Sequence, residues 1–312
     1  MRKFIASLIG IASILLVALM AIRYAPIPVG MATSYKGAFN VFPLDSIVAD
    51  VLFIGPSTLA FGLHEETLVE SGIDFFSFGL HAGTGPLYVF NEAKQIGREA
   101  NYIIMSPGPP WLYQPREGYL VPELLSHSRL GSFEVLKNYG LRVFVLSKAW
   151  AFAHHFRPWH SYYKPSNVME GFQWSSDVIS KRGVILDQNK RRNDFAVSSA
   201  DGSDFNGGRF IDFEKNYDLE MGFDFSFWRQ KKDQFTHLLP IPMPVRDSRA
   251  VYQYVNAMNS LSLELSRPLL LTPESCVFPD TLFCDKSHLN LKGSEIYSEM
   301  IARAINGLPS VH

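Results

Sequence analysis

The sequence predicts an α/β fold on a mostly parallel sheet, and three observations carry that expectation. Apolar runs too continuous for a half-solvated strand stop at Gly or Pro, as Ile47 to Ile54 does at Gly55-Pro56. Segments with helical apolar spacing alternate with these runs. The alternation returns after Arg246, so the two ends of the chain bracket one core.

Ile47 to Ile54 reads as the first buried strand, and Glu65 to Ser71 as a short helix. Ile73 to Phe78, ending at Gly79, reads as the second strand. Gly85-Pro86 opens a helix with Leu87, Phe90, Ala93 and Ile96 on one face, its proline placed in the tolerant first turn. Tyr102 to Met105 reads as the third strand, stopped by Ser106-Pro107-Gly108-Pro109-Pro110. Toward the C-terminus, Arg246 to Leu265 reads as a helix, Pro268 to Leu271 as a strand and Leu291 to Ile305 as a closing amphipathic helix. Between about 111 and 244 the rhythm is lost. That stretch is rich in aromatic residues and Gly turns, and reads as an insertion on one domain spanning 45–312.

Of 312 residues, 47% are hydrophobic and 19% charged, with a net charge of −1, which excludes a disordered chain and a basic nucleic-acid binder. No run has the glycine spacing of a P-loop or a dinucleotide fingerprint. Phe4 to Ile22 carries no charge and approaches the roughly 20 residues that span a bilayer. Arg2 and Lys3 before it keep the N-terminus cytoplasmic and send the body across the inner membrane. Residues 1–24 therefore read as a single-pass signal anchor and transmembrane helix. Residues 25–44, rich in Pro, Gly and Ser, read as a tether to a periplasmic domain, with a cleaved signal peptide as the competing reading. Cys276 and Cys284 are placed for a disulfide in an oxidising compartment, two unpaired thiols being the alternative.

Two short blocks bear on chemistry. Gly55-Pro56-Ser57-Thr58-Leu59 puts a hydroxyl where the first strand gives way to a turn, at the edge where α/β sheets bind ligands. Its N–H could help hold an oxyanion, although a Ser after such a turn is also a common helix cap. Cys284-Asp285-Lys286-Ser287-His288-Leu289-Asn290 puts an acid and an imidazole three residues apart ahead of the closing helix. A carboxylate so placed can fix the imidazole tautomer, or simply cap the helix.

Together, in this order and at these positions, the blocks resemble the SGNH (GDSL-like) hydrolase superfamily, the stretch 111–244 remaining uncovered. The resemblance implies a three-layer fold in which Ser57 is the nucleophile, His288 the base and Asp285 the group that orients it. It also implies an oxyanion hole from the Ser57 N–H with that of Gly79 or Gly83, and no cofactor or metal. Three departures stand out: Pro56 before the serine, Ser77 where many relatives carry Asn, and Ser106-Pro107-Gly108-Pro109 where a Gly-x-Asn block is expected. The anchor and tether bring the chain nearest to proteins similar to alginate O-acetyltransferases and cell-wall alanylation proteins. That implies an O-acyltransferase or esterase for acetyl or related esters on an exported polysaccharide, working beside a membrane-bound O-acyltransferase. A non-catalytic polysaccharide-binding or assembly protein on the same fold is the alternative.

The remaining features are weaker. His154, His155 and His160 among aromatic residues suggest core packing more than a metal or sugar site. Lys181-Arg182 and Lys190-Arg191-Arg192 read as a solvated loop or a surface for an anionic polymer. His64 and His81 lie near Ser57 and Gly79 in sequence without a nameable partner.

Overall fold

The computed structural model describes residues 48–79, 84–96, 100–108, 111–112, 121–125, 132–156, 182, 225–231, 238–246, 251–283 and 288–309, together with Gly10, Ser13 and Val17. The chain divides into two compact units, one of residues 1–36 with 120–173 and one of residues 37–119 with 174–312. The larger unit holds a four-stranded, wholly parallel sheet in the order β2-β1-β3-β4: β1 Val51–Gly55, β2 Phe75–Gly79, β3 Tyr102–Met105 and β4 Leu238–Pro240. All five residues of β1 are buried, which accounts for the unbroken apolar run that encodes it. α1 Ser57–Gly62 and α2 Glu65–Glu70 join β1 to β2, and α3 Gly85–Ile96 joins β2 to β3.

The alternation of β1 side chains separates two layers. Val51 and Phe53 join Phe75 and Ile104 in a cluster with Tyr297, Ile301, Ala302 and Ile305 of the closing helix, α8 Leu291–Asn306. Leu52 and Ile54 are left for the other face, and α3 packs against β1. There Phe90 stacks edge-on against Phe227 and Trp228 of α6 Ser226–Lys231, with ring centroids 5.7 and 5.5 Å away. α7 Val251–Leu265 packs on α6.

The sheet departs from expectation at its far edge. Pro268 to Leu271 is not a strand: Ser266, in the left-handed region at φ 51°, ends α7, and Ser262 Oγ pins that turn by donating to the Arg267 carbonyl. Beyond the turn the chain makes one sheet-like bond, from Leu270 N–H to Pro240 O. Leu238–Pro240, inside the stretch read as insertion, supplies the fourth strand instead. Nor does a helix start at Arg246, which pairs with Phe278 in a second, two-stranded sheet of β5 Val245–Arg246 and β6 Val277–Phe278.

Between β4 and β5, Ile241 to Pro244 is buried and tied down by two tyrosines. Tyr254 accepts from Met243 N–H at 2.8 Å and donates to Pro107 O, and Tyr297 donates to Pro242 O at 2.6 Å. Beside them Cys276 is a free, buried thiol, so the bridge to Cys284 that the spacing favours is not formed; Cys284 lies outside the described residues. Burial pushes the Cys276 thiol up to about 12.

In the smaller unit, α4 Val121–Leu125 packs on α5 Ser132–Phe156. Helix α5 is kinked at Gly140, where φ 79° and ψ 171° require glycine. Among the described residues no helix is long and apolar enough to cross a membrane. The expected anchor at 4–22 lies outside them except for Gly10, Ser13 and Val17, which are helical. The tether also lies outside them.

The buried hydroxyls and thiol give the larger unit an alkaline limit. Burial raises Tyr254, Tyr297 and Cys276 above their ordinary values of 10.0, 10.0 and 9.0. The unfolded chain therefore releases protons that the native state still holds. Stability is complete below pH 9 and falls as pH climbs through 9 and 10, by about 1.4 kcal/mol per pH unit for each group. Melting temperatures from pH 7 to 11 should show this decline, and Tyr254→Phe should shallow it even though it lowers stability at pH 7.

Candidate active site

Ser57 and His288, 231 residues apart in sequence, meet at the carboxyl edge of the sheet, where Ser57 Oγ lies 3.1 Å from His288 Nε2. Both residues are half-buried.

Local structure fixes each partner. β1 ends at Gly55, and Pro56 is the N-cap of α1, its carbonyl accepting from Leu59 N–H at 2.9 Å and Ala60 N–H at 3.4 Å. Ser57 is thus the first helical residue and not the cap, which frees its hydroxyl for His288. Pro56 sacrifices only an N–H that a helix start leaves unpaired. The turn is tight. A Cβ on Gly55 would come within 2.9 Å of both Leu59 Cδ2 and Ser106 O, and one on Gly79 within 2.7 Å of Ala60 Cβ. These two glycines, paired across β1 and β2, let α1 settle on the strand ends.

His288 stands beside an antiparallel bridge between Phe283 and Leu289, both buried. Asn290 secures the return. Its N–H donates to Leu282 O at 2.9 Å, its Nδ2 to Thr281 O at 2.7 Å, and its Oδ1 caps α8 by accepting from Gly293 N–H at 2.9 Å. The cap of α8 is therefore Asn290 and not Asp285. Gly293 is required because a Cβ there would collide with the Leu282 carbonyl.

The strand order places this pair well. The chain moves from β1 to β2 on one side and to β3 and β4 on the other, so the switch point lies between β1 and β3, where α/β sheets bind ligands. Ser57 follows β1. Ser106, whose N–H bonds Ile54 O at 2.9 Å, follows β3. The buried segment after β4 reaches the same edge through Thr58 Oγ1 and Met243 Sδ, 3.6 Å apart.

Among the other residues singled out by sequence, Gly79 closes β2 against Ala60, while Gly83, His81 and Asp285 lie outside the described residues. Ser77 is buried in β2, donates its N–H to Arg182 O at 2.7 Å and leaves its Oγ without a partner among the described residues. His64 does not serve the pair: it is the N-cap of α2, its Nδ1 2.8 Å from Thr67 Oγ1, and its N–H donates to Ser298 Oγ of α8. Nor is Arg182 part of a solvated basic loop. It pairs with Asp74 at 2.7 Å and Glu65 at 3.9 Å and covers the Phe75 ring, sealing the β2 edge. Lys181 and residues 190–192 lie outside the described residues, as do His160 and the side chains of His154 and His155. No cluster of three or more metal-binding side chains occurs among the described residues.

Sequence reasoning missed Phe61. Its ring lies 4.4 Å from the His288 ring, tilted by 46°, and forms one wall of the pair. The signal was available, since Phe61 follows Ser57 by four residues and so shares its helix face.

Removing the supports of His288 should show in stability. Asn290→Ala loses a cap and a loop tie and should cost about 1–2 kcal/mol. Gly293→Ala must push backbone aside and should cost more, above about 2 kcal/mol. Chemical denaturation of the two variants tests that order, and equal stabilities would contradict it. No family model, curated protein or solved structure matches the chain.

Proposed function

We propose that the chain is a serine-dependent acyl-transfer enzyme of the SGNH type, with Ser57 as nucleophile and His288 as its base. The observation that carries this reading is the 3.1 Å approach of Ser57 Oγ to His288 Nε2, across a turn that gives the hydroxyl no capping duty. A residual fold kept for binding alone has no need of that contact.

The two atoms define the chemistry. For Ser57 to donate, Nε2 must be unprotonated and the ring proton must sit on Nδ1, the tautomer that Asp285 would hold. Ser57 Oγ attacks the acyl carbonyl as its proton passes to Nε2. The acyl–oxygen bond to the donor then breaks, and the imidazolium returns the proton to the leaving oxygen. The developing oxyanion faces the N–H of Ser57 at the unpaired start of α1, with Gly79 or Gly83 as the second donor. The acyl-serine is discharged by an acceptor hydroxyl or by water, with the same proton transfers in reverse. Phe61 braces the imidazole through both halves.

The substrate class rests on the sequence resemblance: an O-acyl ester, acetyl in the first instance, on an exported polysaccharide, handled on the periplasmic side of the inner membrane next to a membrane-bound acyltransferase.

The test is release of acetate from an activated acetyl ester by the full chain, with mass-spectrometric search for acyl-Ser57. Ser57→Ala and His288→Ala should each lose about a thousandfold or more in kcat, and His288→Ala should deacylate slowly enough to trap the adduct. Phe61→Leu should keep Ser57 reactive and lower kcat about tenfold through a less constrained ring. Equal, slow release from all variants, with Ser57 never modified, would sink the enzyme reading and leave polymer binding.

A further inference from the structure

From the end of β4 the chain reads Pro240-Ile241-Pro242-Met243-Pro244, so every residue is a proline or precedes one. Proline fixes its own φ and keeps the residue before it extended, which leaves this buried strap almost no conformational freedom. Only Ile241 and Met243 carry an N–H, and both are used. Ile241 donates to Met105 O at 2.7 Å, and Met243 to the Tyr254 hydroxyl at 2.8 Å. Between these points Tyr297 donates to Pro242 O at 2.6 Å. The strap is thus pinned on β3, α7 and α8.

Ile241 joins the core cluster, whereas Met243 brings its Sδ within 3.6 Å of Thr58 Oγ1, on the residue that follows Ser57. Thr58 is 9% exposed and Met243 7%, so the contact is closed to solvent. A thioether is a weak acceptor, and the bond adds little stability. What it supplies is direction. Helix α1 has six residues, too few to hold its own shape, so its first turn sits where tertiary contacts put it. Leu59 and Ala60 lie against Gly55 and Gly79, and Thr58 ties the same turn to the strap.

We infer that Met243 is a positioning residue for Ser57: the strap holds the thioether, the thioether holds Thr58, and Thr58 sets the turn from which the Ser57 hydroxyl meets His288. The same strap is bonded by Tyr297 of α8, the helix that His288 precedes, so one stiff segment touches both sides of the pair. The inference rests on the acyl-transfer reading of that pair.

The test is steady-state hydrolysis of p-nitrophenyl acetate by the full chain, with Ser57→Ala as the reference for release that does not use the serine. Met243→Leu keeps the volume and loses the sulfur acceptor, and Thr58→Val keeps the branched shape and loses the donor, so neither puts the fold at risk. Each should lower kcat about fivefold at unchanged KM, the mark of a misplaced nucleophile and not of lost binding. Thr58→Ser, which keeps the hydroxyl, should stay within about twofold of the parent. The double variant Thr58→Val with Met243→Leu should fall no further than either single, because both remove one contact. Parent kcat in the two single variants overturns the inference. Losses that multiply in the double variant, or a change confined to KM, overturn it too, since Met243 then supplies packing or binding alone. Release that Ser57→Ala does not reduce overturns the acyl-transfer reading itself, and this inference with it.

Discussion

The proposed acyl transfer depends on one constraint: a hydroxyl at the end of β1 and an imidazole just before α8 must be held about one hydrogen bond apart. Neither residue achieves this alone. Ser57 is fixed by a strand that cannot shift, because β1 pairs on both sides and is buried along its whole length. His288 is fixed by a loop whose two ends are paired to each other, through the Phe283 and Leu289 bridge and the Asn290 bonds to Thr281 and Leu282. A few tenths of an ångström of drift on either side would lengthen the 3.1 Å contact past ordinary hydrogen-bond distance.

Close approach of backbone makes that precision possible, and three glycines permit it. Gly55 and Gly79 let α1 lie down on the strand ends, and Gly293 lets the first turn of α8 touch the Leu282 carbonyl. The helices are then joined to one another. Tyr297 of α8 reaches the Pro242 carbonyl, and its ring is what a Cβ at Gly62, the last residue of α1, would meet at 3.3 Å. His64, two residues beyond the end of α1, donates to Ser298 on the same helix. These contacts tie α1 and the turn after it to α8, the two helices that follow the hydroxyl and the imidazole in the chain.

The sequence displayed the parts of this arrangement that rest on periodicity. β1 and β3 are unbroken apolar runs closed by Gly or Pro, and α8 repeats its apolar positions through four turns, so their type and approximate ends could be read directly. β4 could not. Three residues ending in proline carry no period, and only pairing with β3 makes Leu238–Pro240 a strand, whereas Pro268 to Leu271 has the better composition and is diverted by the left-handed turn at Ser266. Ser57 and His288 were legible as candidates, but the use of Ser57 and of Asp285 as helix caps was excluded only when Pro56 and Asn290 were seen to hold those positions. Arg182 shows the limit most plainly: a basic dipeptide reads as solvent-facing, and only the fold brings it to Asp74, Glu65 and the Phe75 ring.

In the proposed reaction, the degree of burial at the pair would bear on which acceptor ends it. A fully enclosed acyl-serine would be protected from water and would need a lid to admit a polymer, whereas a half-buried pair at a sheet edge takes an extended chain without one. If the proposed acceptor is a sugar hydroxyl, such a site would not favour it by excluding water. It would do so by placement, holding the acceptor close enough that its effective concentration exceeds that of the solvent. Phe61 would suit that role, since an aromatic face beside the proposed base would give a sugar ring an apolar surface on which to lie while its hydroxyl points at His288. The balance between transfer and hydrolysis in the proposed reaction would then rest on how well the acceptor packs against that wall, the serine chemistry being common to both outcomes.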